Sequence, residues 1–305
     1  MYRVVQSAFI QVAMAIQTEH LANVAAPVPH QPRRPTFVIR PTKGWAALNV
    51  RELWNYRDLL LILIGRDIKL RYKQTALGIA WVVLQPLIAA LIFAAIFGRL
   101  AKLPSDGTPY LLFVFCGLTA WNYFSQALQR AGNSLVSNAQ LVSKIYFPRL
   151  LIPLAHTLAV LVDFVVMLVV LLVLMGVYHV APSPKMLALP VFLLLATLTA
   201  TGVALWFSAL SVKYRDFMYA LPFLVQVWMY ASPVVYPMSL IPKKWQLWFA
   251  LNPATGFIEG FRWSVLGVGA FDQRLLLITI AVSIVTFLSG TFFFRRVERS
   301  FADVI

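Results

Sequence analysis

Residues 66 to 86 read Arg66-Asp67-Ile68-Lys69-Leu70-Arg71-Tyr72-Lys73-Gln74-Thr75-Ala76-Leu77-Gly78-Ile79-Ala80-Trp81-Val82-Val83-Leu84-Gln85-Pro86. Four cations, Arg66, Lys69, Arg71 and Lys73, lead through a single glycine, Gly78, into an apolar segment. That order marks a positively charged cytoplasmic approach to a membrane span, because Lys and Arg collect on the inner side of transmembrane segments. The rest of the chain agrees: 60% of its residues are hydrophobic and 12% charged, with a mean hydropathy of +0.77, whereas soluble domains carry about 25% charged residues. An all-α polytopic membrane protein is the fold class this composition implies.

A net charge of +15 would point to nucleic acid in a soluble protein, but here it concerns topology first. The single cysteine, Cys116, lies in an apolar stretch, so neither an intrachain disulfide nor a Cys-ligated metal site is expected. Windows of about 20 apolar residues, long enough to cross roughly 30 Å of hydrocarbon, fall near 78–98, 110–130, 151–178, 187–211, 218–237 and 275–294. The fifth is interrupted by Pro222, Pro233 and Pro237. Lys and Arg crowd one set of span ends (Arg66, Lys69, Arg71, Lys73, Arg130, Lys144, Arg149, Lys213, Arg215, Arg295, Arg296, Arg299) and are sparser on the other (Arg99, Lys102, Lys185, Lys243, Lys244, Arg262, Arg274). Both termini are therefore expected in the cytoplasm.

This division gives four regions: a flexible leader over 1–49, an interfacial helix and basic approach over 50–77, a six-span domain over 78–294, and a cytoplasmic tail over 295–305. The leader is rich in proline and arginine, with Pro27, Pro29, Arg33, Arg34 and Pro35. Over 50–64, Val50, Leu53, Trp54, Leu60, Leu61 and Ile64 recur at helical spacing opposite Arg51, Glu52, Asn55 and Asp58. A helix lying in the inner membrane interface fits that pattern.

Between the second and third spans, Gln140 to Tyr146 can form about two helical turns, which Phe147-Pro148 must end. Exposed Tyr146 and Phe147 beside Lys144 and Arg149 would be docking anchors for another protein, or else headgroup contacts. The long external stretch 238–274 is broken by Pro242, Pro253, Gly256, Gly260, Gly267 and Gly269. Two short re-entrant or interfacial helices, near 243–250 and 254–266, fit it, with Glu259 and Arg262 paired at i, i+3 as an external gate. A plain surface loop is the alternative. In the third span His156 and Asp163 are seven residues apart, on one helical face, and suggest a structural hydrogen bond more than a proton relay.

Taken in order, several blocks resemble the membrane subunit of bacterial ABC-type polysaccharide exporters. They are Arg71-Tyr72-Lys73-Gln74-Thr75, Leu77-Gly78 with Trp81, Gln85-Pro86, Trp121-Asn122-Tyr123-Phe124, Lys144-Ile145-Tyr146-Phe147-Pro148-Arg149 with Pro153, Lys213-Tyr214-Arg215-Asp216, Ser232-Pro233-Val234-Val235-Tyr236-Pro237 and Leu251-Asn252-Pro253. The resemblance covers about residues 50–300 and implies export of O-antigen, capsular polysaccharide or teichoic acid on a lipid carrier. It further implies a homodimer served by two nucleotide-binding subunits, with the helix ending at Lys144, Tyr146, Phe147, Pro148 and Arg149 inserted into the ATPase.

No Gly-x-x-x-x-Gly-Lys-Ser/Thr phosphate loop occurs in the chain. ATP and Mg²⁺ are thus expected in a partner, and this chain is expected to need no cofactor and no metal. Aromatic faces pack on the C–H faces of sugars, which makes Trp81, Phe113, Trp121, Tyr123, Phe124, Trp228, Tyr230 and Tyr236 candidates for a channel lining. The competing reading places Trp and Tyr at the membrane interfaces and Phe in lipid. A permease for a drug or small lipophile is the alternative function. A polytopic glycosyl- or acyltransferase is disfavoured by 11 acidic residues and 4 scattered histidines.

Phosphates seek Arg and Lys donors, so Arg66, Lys69, Arg71 and Lys73 are candidates to receive the substrate pyrophosphate at the inner leaflet. Replacing Arg71 and Lys73 with glutamine is then expected to cut export while membrane insertion stays intact. Undiminished export at normal abundance would leave the cluster only its anchoring role.

Overall fold

An apolar chain in hydrocarbon can satisfy its own backbone locally only as a helix, and helices build this protein. The computed structural model describes residues 50–73, 78, 80–144, 147–269, 271–298 and 301, and among them there is no β-strand. The expected leader over 1–49 and Tyr146 lie outside the described residues. In chain order the helices are α1 (Val50–Asn55), α2 (Arg57–Tyr72), α3 (Ala80–Phe93, continued by a wider π-type turn over Ala94–Leu100), α4 (Tyr110–Gly132), α5 (Ser134–Ser137) and α6 (Ala139–Lys144). After them come α7 (Leu151–Ala159), α8 (Leu161–Val177), α9 (Leu189–Lys213), α10 (Asp216–Tyr230), α11 (Lys243–Ala250), α12 (Pro253–Leu266) and α13 (Gln273–Glu298).

Among the described residues, five stretches are long and apolar enough to cross a membrane: Ala80–Leu100, Tyr110–Gly132, Leu151–Val177, Pro184–Lys213 and Gln273–Glu298. The expected span at 218–237 takes a shorter form. Its helix, α10, has 15 residues and carries Pro222 inside, so at about 1.5 Å per residue it covers roughly 22 Å, less than the hydrocarbon thickness. The chain then turns through 231–237, where Ser232 and Val234 are buried. The two short helices read near 243–250 and 254–266 are present as α11 and α12. Asn252 caps α12 by accepting from the Ala254 N–H at 3.0 Å, with Pro253 at the first helical position, the favoured start. Gly267 ends the helix at φ +76°, a left-handed conformation suited to glycine.

The amphipathic helix expected over 50–64 is instead two pieces that break at Tyr56 and continue to Tyr72. Leu53, Tyr56, Leu59, Leu60, Leu63 and Ile64 pack inward, while Trp54, Leu61 and Ile62 are exposed. The apolar residues assigned to one face thus divide between two.

At the centre lies α4, which packs against α3, α7, α8, α9, α10 and α12. Its residues from Leu112 to Ala120 are all buried. By contrast α3 buries only Pro86 and Ala90 along Ala80–Phe93, leaving Leu84, Ile88, Leu91 and Ile92 exposed. The widest helix pairing joins α9 to α13. Small residues make it possible: a Cβ at Gly290 would run into the backbone of Gly202, and one at Gly202 would sit 2.6 Å from the Thr286 carbonyl. Thr199 donates to Ser283 across the same crossing at 3.0 Å. Such close approach of small residues is a main source of helix association in membranes.

Gly290→Leu is therefore expected to force α9 and α13 apart and cost about 1–3 kcal/mol or more, as overpacking does, read as a lower melting temperature in detergent. Gly176, whose added Cβ would meet nothing within 4 Å, is the control: Gly176→Ala should melt like the parent chain. Equal melting of both variants would refute the close crossing.

Candidate functional site at the basic end of the bundle

Along α2, Leu63, Asp67 and Arg71 recur every fourth residue and so share one helical face. That face lies on α7, and it places two charged side chains where the apolar span would otherwise meet only hydrocarbon. Asp163, in the first turn of α8, is 2% exposed. Arg71 pairs with it, and the Tyr72 hydroxyl donates to it. Arg71 also donates to Gln126 of α4 at 2.6 Å. Burial, reinforced by the Asp163 carboxylate, pushes the Tyr72 phenol up to about 12, so Tyr72 remains a donor across the physiological range.

One turn earlier, Asp67 takes Arg66 at 3.0 Å and His156 Nδ1 at 3.2 Å. The same Nδ1 lies 2.9 Å from the Ile152 carbonyl. Both neighbours are acceptors, so Nδ1 carries the proton. Arg66 reaches on to Asn138 at 2.8 Å, which joins α2 to the connection between α5 and α6. His156 and Asp163, read from their spacing as neighbours on one face, thus each have a partner on α2. These contacts attach α2 to α7 and α8.

The four cations assigned to pyrophosphate divide accordingly. Arg66 and Arg71 are engaged by Asp67 and Asp163, whereas Lys69 and Lys73 are exposed. Arg130, counted in the sequence only for topology, makes no ion pair among the described residues. It borders a polar cleft of about 430 Å³ lined also by Gln126, Gln129, Asn133, Ser137 and His156. An arginine outside any ion pair, beside amides and a hydroxyl, suits an anionic, hydroxyl-rich ligand. The signal available in the sequence was the pair His156 and Asp163, ionisable residues in an apolar span that require partners. Which cation answers Asp163 is a matter of tertiary contact.

In the segment read as a docking helix, α6 ends at Lys144, which is exposed. Phe147 is 5% exposed and packs with Leu150, Leu151 and Leu63. It is not an exposed anchor, because its ring is taken up by that apolar cluster. Pro148 and Arg149 are partly exposed.

The aromatic candidates also divide. Phe113, Trp121, Tyr123 and Phe124 are at most 3% exposed and leave no face for a channel. They fill the core instead: Phe124 packs on Trp228 at 5.2 Å and Phe257 at 5.1 Å, and Tyr123 on Phe164 at 5.6 Å. Trp81 and Tyr230 are exposed, and Trp228 and Tyr236 partly so. Glu259 and Arg262 form the expected pair, at 2.6 Å, but both side chains are 0% exposed, so the surface-loop alternative fails for them. Arg262 also donates to the Pro233 and Val234 carbonyls at 3.1 and 3.0 Å and lies 3.8 Å from the Phe113 ring centroid. It pins the 231–237 turn against α4 and α12.

Removing one partner of a buried ion pair leaves an uncompensated charge and costs about 3–5 kcal/mol, whereas apolar replacement of both is close to neutral. Asp163→Ala is accordingly expected to lower the melting temperature in detergent sharply, and the double variant Arg71→Met/Asp163→Leu to regain most of the loss. A double variant as unstable as the single one would show that the pair is not the joint between α2 and α8.

Comparison with known proteins bears on what this arrangement serves. The chain is 28% identical over 258 residues to the O-antigen export system permease protein RfbA of Myxococcus xanthus, an alignment covering 84% of this chain and 98% of that protein. It is 27% identical to the protein of the same name from Klebsiella pneumoniae, covering 81% and 95%. Against the polysialic acid transport protein KpsM of Escherichia coli the identity is 23%, covering 78% and 93%. The family model described as ABC-2 type transporter matches residues 58–266, a range that begins in α2 and closes with α12, enclosing both charge clusters. This multi-pass membrane protein belongs to the ABC-2 type transporter family.

Proposed function

We propose that the chain is the permease of a bacterial ABC exporter that carries a lipid-linked polysaccharide, of O-antigen type, from the cytoplasm across the inner membrane. The observation that carries this reading is the extent of the similarity: alignment with an O-antigen export permease takes in 84% of this chain and 98% of that protein, a whole architecture and not a shared fragment. A separate ATPase subunit binds ATP and Mg²⁺, consistent with the lack of a phosphate loop in the sequence. Two permeases form a homodimer with two such subunits. Each permease has six spans, α10 and its following turn supplying the fifth, and both termini face the cytoplasm.

Within that assembly the 139–149 segment meets the ATPase through Lys144, Tyr146, Pro148 and Arg149, with Phe147 holding it from below. Arg130 at the cleft, together with the exposed Lys69 and Lys73, receives the substrate pyrophosphate, these being cations that enter no ion pair among the described residues. Trp81, Trp228, Tyr230 and Tyr236 supply stacking faces for sugar rings. The Glu259–Arg262 pair steadies the external turn that forms the gate.

The test is ATP hydrolysis by the purified chain in lipid, alone and with the nucleotide-binding protein encoded beside its gene, with lipid-linked polysaccharide added. Hydrolysis that needs the partner and rises with the glycan is expected. Stimulation by small lipophiles but not by glycan would favour a drug exporter, and failure to pair with any ATPase would overturn the reading.

A further inference from the structure

Phe301, beyond the last long helix, is 1% exposed. Its ring meets Phe294 of α13 at 5.6 Å between centroids and an angle of 78°, an edge-to-face geometry. Over the same ring, 5.7 Å from its centroid, lies the guanidinium of Arg149. Arg149 also donates to the Glu298 carbonyl at 3.0 Å. Glu298 is the last described residue of α13. The arginine therefore holds a backbone carbonyl of α13 while covering the aromatic ring.

These contacts place three separate chain segments in one apolar cluster: Phe147 and Leu150 from the connection after α6, Leu63 from α2, and Phe294 with Phe301 from the C-terminal end. A displacement of the connection cannot occur without moving the end of α13, because close-packed side chains transmit strain instead of absorbing it. We propose that Phe301 and Arg149 form a clasp that fixes the 147–150 connection to the last span, making Phe301 a positioning residue for the segment that meets the ATPase. The clasp links movement at that segment to α13 and, through Leu63, to α2. Its role in transport rests on the functional reading above.

The test pairs two readouts on Phe301→Ala. Hydrogen exchange of the purified permease is expected to rise at least tenfold in residues 139–150, with α4 and α9 unchanged. In the reconstituted permease–ATPase complex, transport per ATP hydrolysed is expected to fall several-fold while the two proteins still copurify. Unchanged exchange overturns the clasp, and raised exchange with undiminished transport per ATP overturns its positioning role. If the unaltered chain pairs with no ATPase, the functional reading fails, and the exchange result still decides the clasp. Should Phe301→Ala not accumulate, Phe301→Leu decides in its place: a smaller rise in exchange supports the clasp and parental exchange overturns it.

Discussion

Asp163 is the constraint around which this end of the molecule is organised. An ionised carboxylate buried in an apolar span is tolerated only with a partner, and Arg71 reaches it from another helix, assisted by Tyr72. A buried ion pair adds little net stability over well-packed apolar side chains, yet it penalises any arrangement that separates its members. Its effect is to fix position. With Arg71 on Asp163 and Asp67 on His156, α2 has one register against α7 and α8, and Gln126 and Asn138 extend the attachment to α4 and the α5–α6 connection.

Away from those charges the bundle is held by close contact. Water drives no association between helices in lipid, so packing and hydrogen bonds must hold them together. The Gly202–Gly290 crossing and the Thr199–Ser283 hydrogen bond supply both on one pair, α9 and α13. Aromatic rings do the same around α4, where Phe124 is shared by Trp121, Trp228 and Phe257. Over the Phe113 ring, Arg262 of the buried Glu259–Arg262 pair holds the 231–237 turn by its carbonyls, giving an irregular segment the partners that irregular backbone requires at depth.

These two modes of attachment give different parts of the molecule different freedom. Helix α3 is bound on a narrow strip and presents Leu84, Ile88, Leu91 and Ile92 outward, while α4 is surrounded. The basic end is tied together by charges and by the cluster containing Phe147, Leu63, Phe294 and Phe301. A load applied at the connection after α6 therefore reaches both α2 and the last span through direct contact.

The sequence by itself determined the class of structure and most of its helices. A mean hydropathy of +0.77 and apolar runs the length of a bilayer leave a helical membrane bundle as the outcome, and Asn252-Pro253 with Gly267 bounds α12 through local backbone chemistry. The Glu259–Arg262 pair was legible because i, i+3 spacing is local. What only the tertiary structure decided is which surfaces those residues occupy. An aromatic at a given position has the same sequence signature whether it packs in a core or lines a path, so Phe113, Trp121, Tyr123 and Phe124 differed from Trp81 and Tyr230 only once neighbouring helices were in place. Likewise Arg71 became a bound cation and Arg130 one without an ion pair among the described residues, because the partner of Arg71, Asp163, stands 92 positions away in the chain, a separation that no local spacing encodes.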